Sequence, residues 1–297
     1  MQRLPARNSI LGEGMLIRRA LPHKERRLIG AWCFLDHAGP VDISNGDGVR
    51  VGPHPHIGLQ TFTWMIEGEI LHRDSLGYAQ IIRPGQVNLM TAGRGISHSE
   101  ETPAQHSRNV QLAQLWIALP DAKRHIEPAF EHYPDLPRFA MGDFNATLLV
   151  GETSGYVSPV RVHSPLVAID LVTQASATDT LPLQADFEHG VLVLEGSADV
   201  EVAGETQTLE AGTLLYLAPG HTILNIKSSS ACRLLIIGGK PFEENILLWW
   251  NFVGRTREEI AVATETWNSH TAFGKVEGYP GEAIPAPAVP MEIKGSL

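Results

Sequence analysis

The 297-residue chain predicts an all-β fold, two tandem antiparallel β-barrels followed by one short helix. Three observations predict it. Apolar runs are short, rich in β-branched and aromatic residues, and separated by Gly, Pro, Asn and Asp. That rhythm belongs to a sandwich or barrel rather than to strands alternating with helices. The run pattern recurs in the second half of the chain, and a single helix-start signature stands near the C-terminus.

In chain order, residues 59–66, 86–90 and 111–119 read as strands of the first barrel, and residues 190–194 and 212–217 as strands of the second. Two landmarks align the halves. Trp64-Met65-Ile66-Glu67-Gly68 matches Val193-Leu194-Glu195-Gly196, and Arg83-Pro84-Gly85-Gln86-Val87 matches Glu210-Ala211-Gly212-Thr213-Leu214. Each copy is a strand, a turn, a return strand, and a glycine turn into a further strand. The boundary falls near residues 151–165, giving a first barrel over 1–150, a second over 151–250 and a C-terminal segment over 251–297. In that segment Thr256-Arg257-Glu258-Glu259 forms a capping box ahead of Ile260-Ala261-Val262-Ala263. Residues 278–290 are rich in Gly, Pro and Ala and read as an extended tail.

Composition narrows the function. The hydrophobic fraction of 43% and charged fraction of 19% are those of a soluble globular protein. A net charge of -10 leaves no basic surplus for phosphate neutralisation, so direct nucleic-acid binding is not expected. No apolar run reaches the length that spans a bilayer. The first residues lack the apolar core of a secretory leader, and Cys33 and Cys232 stand far apart, outside any C-x-x-C pattern. These features place the protein in a reducing cytoplasm.

The chemistry concentrates in two short pairs. In a strand, residues two apart share a face, so His54 and His56 of Pro53-His54-Pro55-His56 present both imidazoles to one point. His98 and Glu100 of Ile96-Ser97-His98-Ser99-Glu100 have the same geometry. Two such strands side by side would supply three nitrogens and one carboxylate oxygen, a set that suits Fe, Mn, Co, Ni, Cu or Zn as the divalent ion. On an octahedral ion two positions would stay open. In the repeat, His54 and His56 fall opposite Pro182 and Gln184, while His98 and Glu100 fall opposite Asn225 and Lys227. The second barrel therefore reads as metal-free. Glu101 has the opposite strand parity to Glu100 and should point away from the ion. His72 and Asp74, also two apart, read either as support for a ligand imidazole or as a polar strand face. Asp36-His37, ahead of Gly39-Pro40, reads as turn chemistry.

The stretch from Phe34-Leu35-Asp36-His37 through His54-Pro55-His56, Glu67-Gly68, His72-Arg73-Asp74-Ser75 and Thr91-Ala92-Gly93-Arg94-Gly95-Ile96-Ser97-His98-Ser99-Glu100 resembles the pirin family. The second half and residues 251–259 resemble it too. The resemblance implies two cupin barrels of jelly-roll type, with one ion, usually Fe2+, in the N-terminal barrel and none in the C-terminal one. The implied ligands correspond to His54, His56, His98 and Glu100. The general cupin pattern places a glutamate where this chain has Gln60, so Glu100 is left to supply the carboxylate. Several bacterial pirins open flavonols such as quercetin with O2 and release carbon monoxide, which implies a small aromatic substrate and Glu100 as the catalytic base. Other pirins act as regulators. The alternative expectation is a redox-sensing protein that binds a protein partner through a metal-dependent surface.

Overall fold

The computed structural model describes residues 1–11, 15–44 and 48–296. The chain forms two compact units, one of Asn8–Ile17, Asp36–Pro134 and Glu243–Leu297, the other of Met1–Arg7, Arg18–Leu35 and Asp135–Phe242.

The first unit is a β-barrel of jelly-roll type. Its strands include β1 (Arg50–His56), β2 (Leu59–Glu67), β3 (Ile70–Asp74), β4 (Val87–Thr91), β5 (Ile96–Glu101), β6 (Asn109–Ala118) and β7 (Ala129–Tyr133). One sheet runs β1-β5-β3 and is finished by the strand Ala79–Ile82, while the other contains the run β7-β4-β2-β6. Alternate residues of both sheets turn inward and exclude water, so Val51, Met65, Ile70, Ile82, Val110 and Leu112 share one apolar cluster. Helix α1 (Arg257–Asn268) belongs to this unit. The capping box forms as the sequence predicts: the Glu259 amide donates to Thr256 Oγ1 over 3.2 Å and the Thr256 amide to Glu259 Oε2 over 3.3 Å. Ile260, Ala263 and Trp267 make its buried stripe. The tail beyond is irregular but tied down, since the Ile284 amide donates to the Pro53 carbonyl and Asn268 exchanges two hydrogen bonds with Ala286.

The second unit repeats the plan with β8 (Leu166–Thr173), β9 (Ala177–Pro182), β10 (Glu188–Glu195), β11 (Ser197–Val202), β12 (Thr213–Leu217), β13 (Ile223–Ser228) and β14 (Cys232–Gly239). The order β9-β13-β11 matches β1-β5-β3. In the larger sheet β12-β10-β14 matches β4-β2-β6, but the place of β7 is taken by the N-terminal strand Gln2–Pro5, paired to β12 with Gln2 opposite Tyr216. This pairing places Met1–Arg7 in the second unit although they begin the chain. An outer strand lends backbone N–H and C=O groups to its neighbour wherever in the chain it comes from.

The structure also corrects the alignment of the two halves. The inward positions of β9 and β13 are Leu181, Leu224 and Ile226, members of the second apolar cluster, with Leu181 directly opposite Leu224. Asn225 lies on the other face, where it meets Thr180, and Lys227 is exposed. Both landmarks were one residue out of parity, since Pro182 is likewise exposed beside the inward Leu181, and burial of the aliphatic face decides the register. No helix among the described residues is long and apolar enough to cross a membrane.

Candidate metal centre

Two histidines two residues apart can converge only if their strand is held extended and its other side is covered. Strand β1 lies at the edge of its sheet, which is where prolines without an N–H are tolerated, so Pro53 and Pro55 stiffen the strand at no cost in ladder bonds. Strand β5 pairs with it antiparallel, placing His98 opposite His54 and Ile96 opposite His56. The register then shifts so that Glu100 faces Val51, with an extra residue on β1. On its other side β5 pairs with β3, where Glu100 faces His72 and His98 faces Asp74. Directly opposed residues project to the same face. His54, His56, His98, Glu100, His72 and Asp74 therefore share one interior.

Three of these imidazoles come together. His54, His56 and His98 each offer a ring nitrogen within 4.8 Å of the others, and all three are buried. His56 Nε2 and His98 Nε2 stand 3.1 Å apart. Two nitrogens bound at roughly 2.1 Å and at a right angle on one ion would be about 3.0 Å apart, so the spacing fits a shared cation. The outward nitrogens are occupied. His54 Nδ1 lies 2.8 Å from the Gly52 carbonyl and His56 Nδ1 lies 2.9 Å from the Asn251 carbonyl. A carbonyl only accepts, so both rings carry their proton on Nδ1 and turn a bare Nε2 inward. Burial lowers His54 to about 4, and lowers His56 and His98 well below the ordinary imidazole range, with charge repulsion from His54 adding to it in both. The trio is neutral near pH 7, the form that ligates a metal.

Glu100 lies outside this triple but on the same face of β5. The residue is half-buried as a whole, yet desolvation of its carboxyl raises it to about 7. Glu101 behaves as its parity predicts, pairing with Arg73 at 3.0 Å. Gln60 is fully buried and donates to Thr91 Oγ1 across β2 and β4 over 3.0 Å. His72 and Asp74 are buried beside the site, with His72 Nδ1 3.3 Å from His98 Nδ1 and His72 Nε2 3.0 Å from Asp74 Oδ2. Phe130 stacks on His72 at 4.3 Å, and Trp116 meets His56 edge-on at 5.1 Å. Asp36 and His37 do not form a turn. They lie buried within the strand Trp32–Asp42, where His37 Nε2 meets Gln111 at 3.1 Å. The Gly52 and Asn251 carbonyls escaped sequence reasoning because a backbone oxygen leaves no residue signature.

The pirin family model matches residues 14–117, and the model of the pirin C-terminal cupin domain matches residues 168–274. The chain belongs to the pirin family. Among pirin relatives, a Pseudomonas aeruginosa protein named as a candidate quercetin 2,3-dioxygenase is 49% identical over 294 residues, covering 99% of this chain and 92% of its own. A pirin-like protein of Caulobacter vibrioides is 37% identical over 258 residues, covering 84% of this chain and 87% of its own. The crystal structure of quercetin 2,3-dioxygenase from Acinetobacter baumannii superposes with a TM-score of 0.95 at 49% identity, covering 100% of this chain and 98% of that one. This pirin is thus a bicupin with its histidine cluster in the first barrel and an aliphatic filling at the matching strands of the second.

Proposed function

We propose that this pirin is a metal-dependent dioxygenase that opens flavonols such as quercetin with O2, using one divalent ion held by His54, His56, His98 and Glu100, with Fe2+ the first choice. The observation that carries the proposal is the convergence of three neutral imidazoles with their Nε2 atoms turned to one point. The names borne by the Pseudomonas and Acinetobacter relatives, each 49% identical, point to the flavonol class. When bound, the ion supplies Lewis acidity and open positions at which a flavonol oxygen and O2 can be brought together.

The protein's own part follows from the site. Neutral imidazoles leave the ion's charge largely uncancelled, which favours an anionic substrate oxygen. Glu100, at about 7 before any cation binds, is matched to taking the proton of the flavonol 3-hydroxyl near neutral pH. A cation beside it would lower that value and favour the carboxylate. Trp116 and Phe130 wall the imidazoles with apolar surface and limit the access of water.

The test is reconstitution of the protein with Fe2+, Mn2+, Co2+, Ni2+ or Cu2+, anaerobic addition of quercetin, and exposure to O2. Loss of the flavonol absorbance with release of carbon monoxide is expected for at least one metal. No turnover with any of the five would refute the flavonol assignment.

A further inference from the structure

We infer that residues 271–286 form a strap that holds the ligand-bearing strands in place from outside the barrel, and that Asn268 and Trp267 are positioning residues that act on the metal centre through it. The inference rests on the metal centre above but not on the reaction performed there.

Strand β1 needs an external hold. It lies at the edge of its sheet, hydrogen-bonded there to β5, and the ladder between them is interrupted between His98 and Glu100. Pro53 and Pro55 offer carbonyls and no N–H, so a donor from elsewhere in the chain is what can fasten this edge. Ile284 supplies it, its amide donating to the Pro53 carbonyl over 2.8 Å. The Ile284 side chain packs against the apolar cluster that contains Val51, and its carbonyl accepts from Trp267 Nε1 over 2.8 Å. Two residues on, Asn268 clamps Ala286, donating from Nδ2 to its carbonyl over 3.0 Å and accepting from its amide over 2.9 Å. One short segment is thus fixed to β1 on one side and to α1 on the other.

The strap meets all three strands beside their inward residues. On β5 the Ser97 hydroxyl, next to His98, lies 3.1 and 3.3 Å from the carbonyls of Phe273 and Gly274. On β3 it reaches Arg73, next to Asp74, where a Cβ added to Gly278 would come within 3.0 Å of the guanidinium. On β1 it reaches Gly52, where an added Cβ would come within 2.8 Å of the Glu282 carbonyl oxygen. Ser97 and Ser99 face out of the barrel and are nonetheless fully buried. Gly52 is the point of leverage, because its carbonyl accepts from His54 Nδ1 over 2.8 Å. The strap packs on that peptide with backbone, which cannot yield as a long side chain would. Its seating fixes the direction of the Gly52 carbonyl, and that carbonyl fixes where His54 Nε2 points.

The experiment uses the full-length protein freed of metal and titrated with Co2+, read by visible absorption and calorimetry. Thermal unfolding checks folding, and hydrogen exchange at the Ile284 amide reports whether the strap is seated. Asn268 is exposed, so Asn268→Ala removes the clamp without opening the core. Gly52→Ala unseats the strap from the opposite side. Each should speed exchange at Ile284 and weaken Co2+ binding by about 10-fold. Trp267→Phe, which keeps a ring but loses the Nε1 donor, should shift both readouts in the same direction. The double variant N268A/G52A should also lie near 10-fold, rather than at the roughly 100-fold of independent effects, because the strap is released only once. Asn268→Asp still accepts from the Ala286 amide and should fall between Asn268→Ala and the parent. Thr256→Ala weakens the far end of α1 and should leave Co2+ affinity within about 2-fold of the parent. Unchanged Co2+ affinity in N268A despite faster exchange, fully additive losses in the double variant, or a loss in T256A as large as in N268A would each overturn the strap's role. Should G52A fail to fold, N268A, N268D and W267F carry the same test. A parent protein that binds no Co2+ would instead overturn the metal centre, and the inference with it.

Discussion

His189 makes acid stability of the second barrel a measurable quantity. It lies on β10 next to the inward residues Val191 and Val193, opposite Leu217 and Gly238, and is 1% exposed. Neither ring nitrogen meets a hydrogen-bond partner among the described residues. Burial holds the imidazole down to about 4, with charge from His221 acting the same way. A folded value below the ordinary 6.5 means that the unfolded chain binds more protons. Stability from this group is therefore complete above about pH 6.5, and is lost as pH falls from there toward 4. Each unit of difference corresponds to about 1.4 kcal/mol, so moving from pH 7.5 to 4.5 should cost roughly 2 to 3 kcal/mol through His189 alone. The perturbation is His189→Leu, which removes the titrating group and keeps an apolar filling. Guanidinium unfolding of both proteins at half-unit pH steps reads the difference. Any packing cost of leucine is independent of pH, and the other buried histidines contribute equally to both proteins. The parent should lose roughly 2 to 3 kcal/mol more than the variant over that range. Parallel pH profiles would show that His189 finds a proton acceptor or water in solution, and would refute the reasoning.

Three further outcomes follow from the first barrel. Glu100→Gln should keep the three imidazoles and bind Co2+ more weakly, while flavonol turnover falls by about 100-fold or more, the general-base share of the rate; steady-state kinetics of the reconstituted variant checks this. Gly58→Ala should destabilise the protein by roughly 2 kcal/mol or more and weaken Co2+ binding, because Gly58 has φ +68° and an added Cβ would come within 2.1 Å of the Val253 carbonyl. That clash pushes away the strand Phe252–Gly254, which follows directly on the Asn251 whose carbonyl orients His56, so thermal unfolding and metal titration should change together. Thr256→Ala should remove one half of the capping box at the start of α1 and cost about 1 kcal/mol, read by chemical denaturation.

Much of the site was legible because strand chemistry is periodic. The two-residue spacing of His54 with His56 and of His98 with Glu100 placed each pair on one face before any fold was known. The same parity separated Glu100 from Glu101, and the Thr256 to Glu259 box marked the helix start. Other features were hidden in principle. The off-register landmarks between the halves could not be corrected without seeing that Leu181, Leu224 and Ile226 fill the second barrel. Nothing in Asp36-His37 ahead of Gly39-Pro40 showed that both lie inside a long buried strand.

The sequence by itself determined the all-β class, the duplication, the inward pairs and the histidines that converge. Local spacing suffices there, since a strand repeats every two residues wherever it is placed. Only the tertiary structure decided that the strand Gln2–Pro5 completes the second barrel, that the C-terminal segment belongs with the first, and which nitrogen of each imidazole faces inward. Those outcomes depend on backbone carbonyls and on partners distant in the chain. The Asn251 oxygen that orients His56 lies 195 residues away, and hydrogen bonding across such a span carries no mark in the order of side chains.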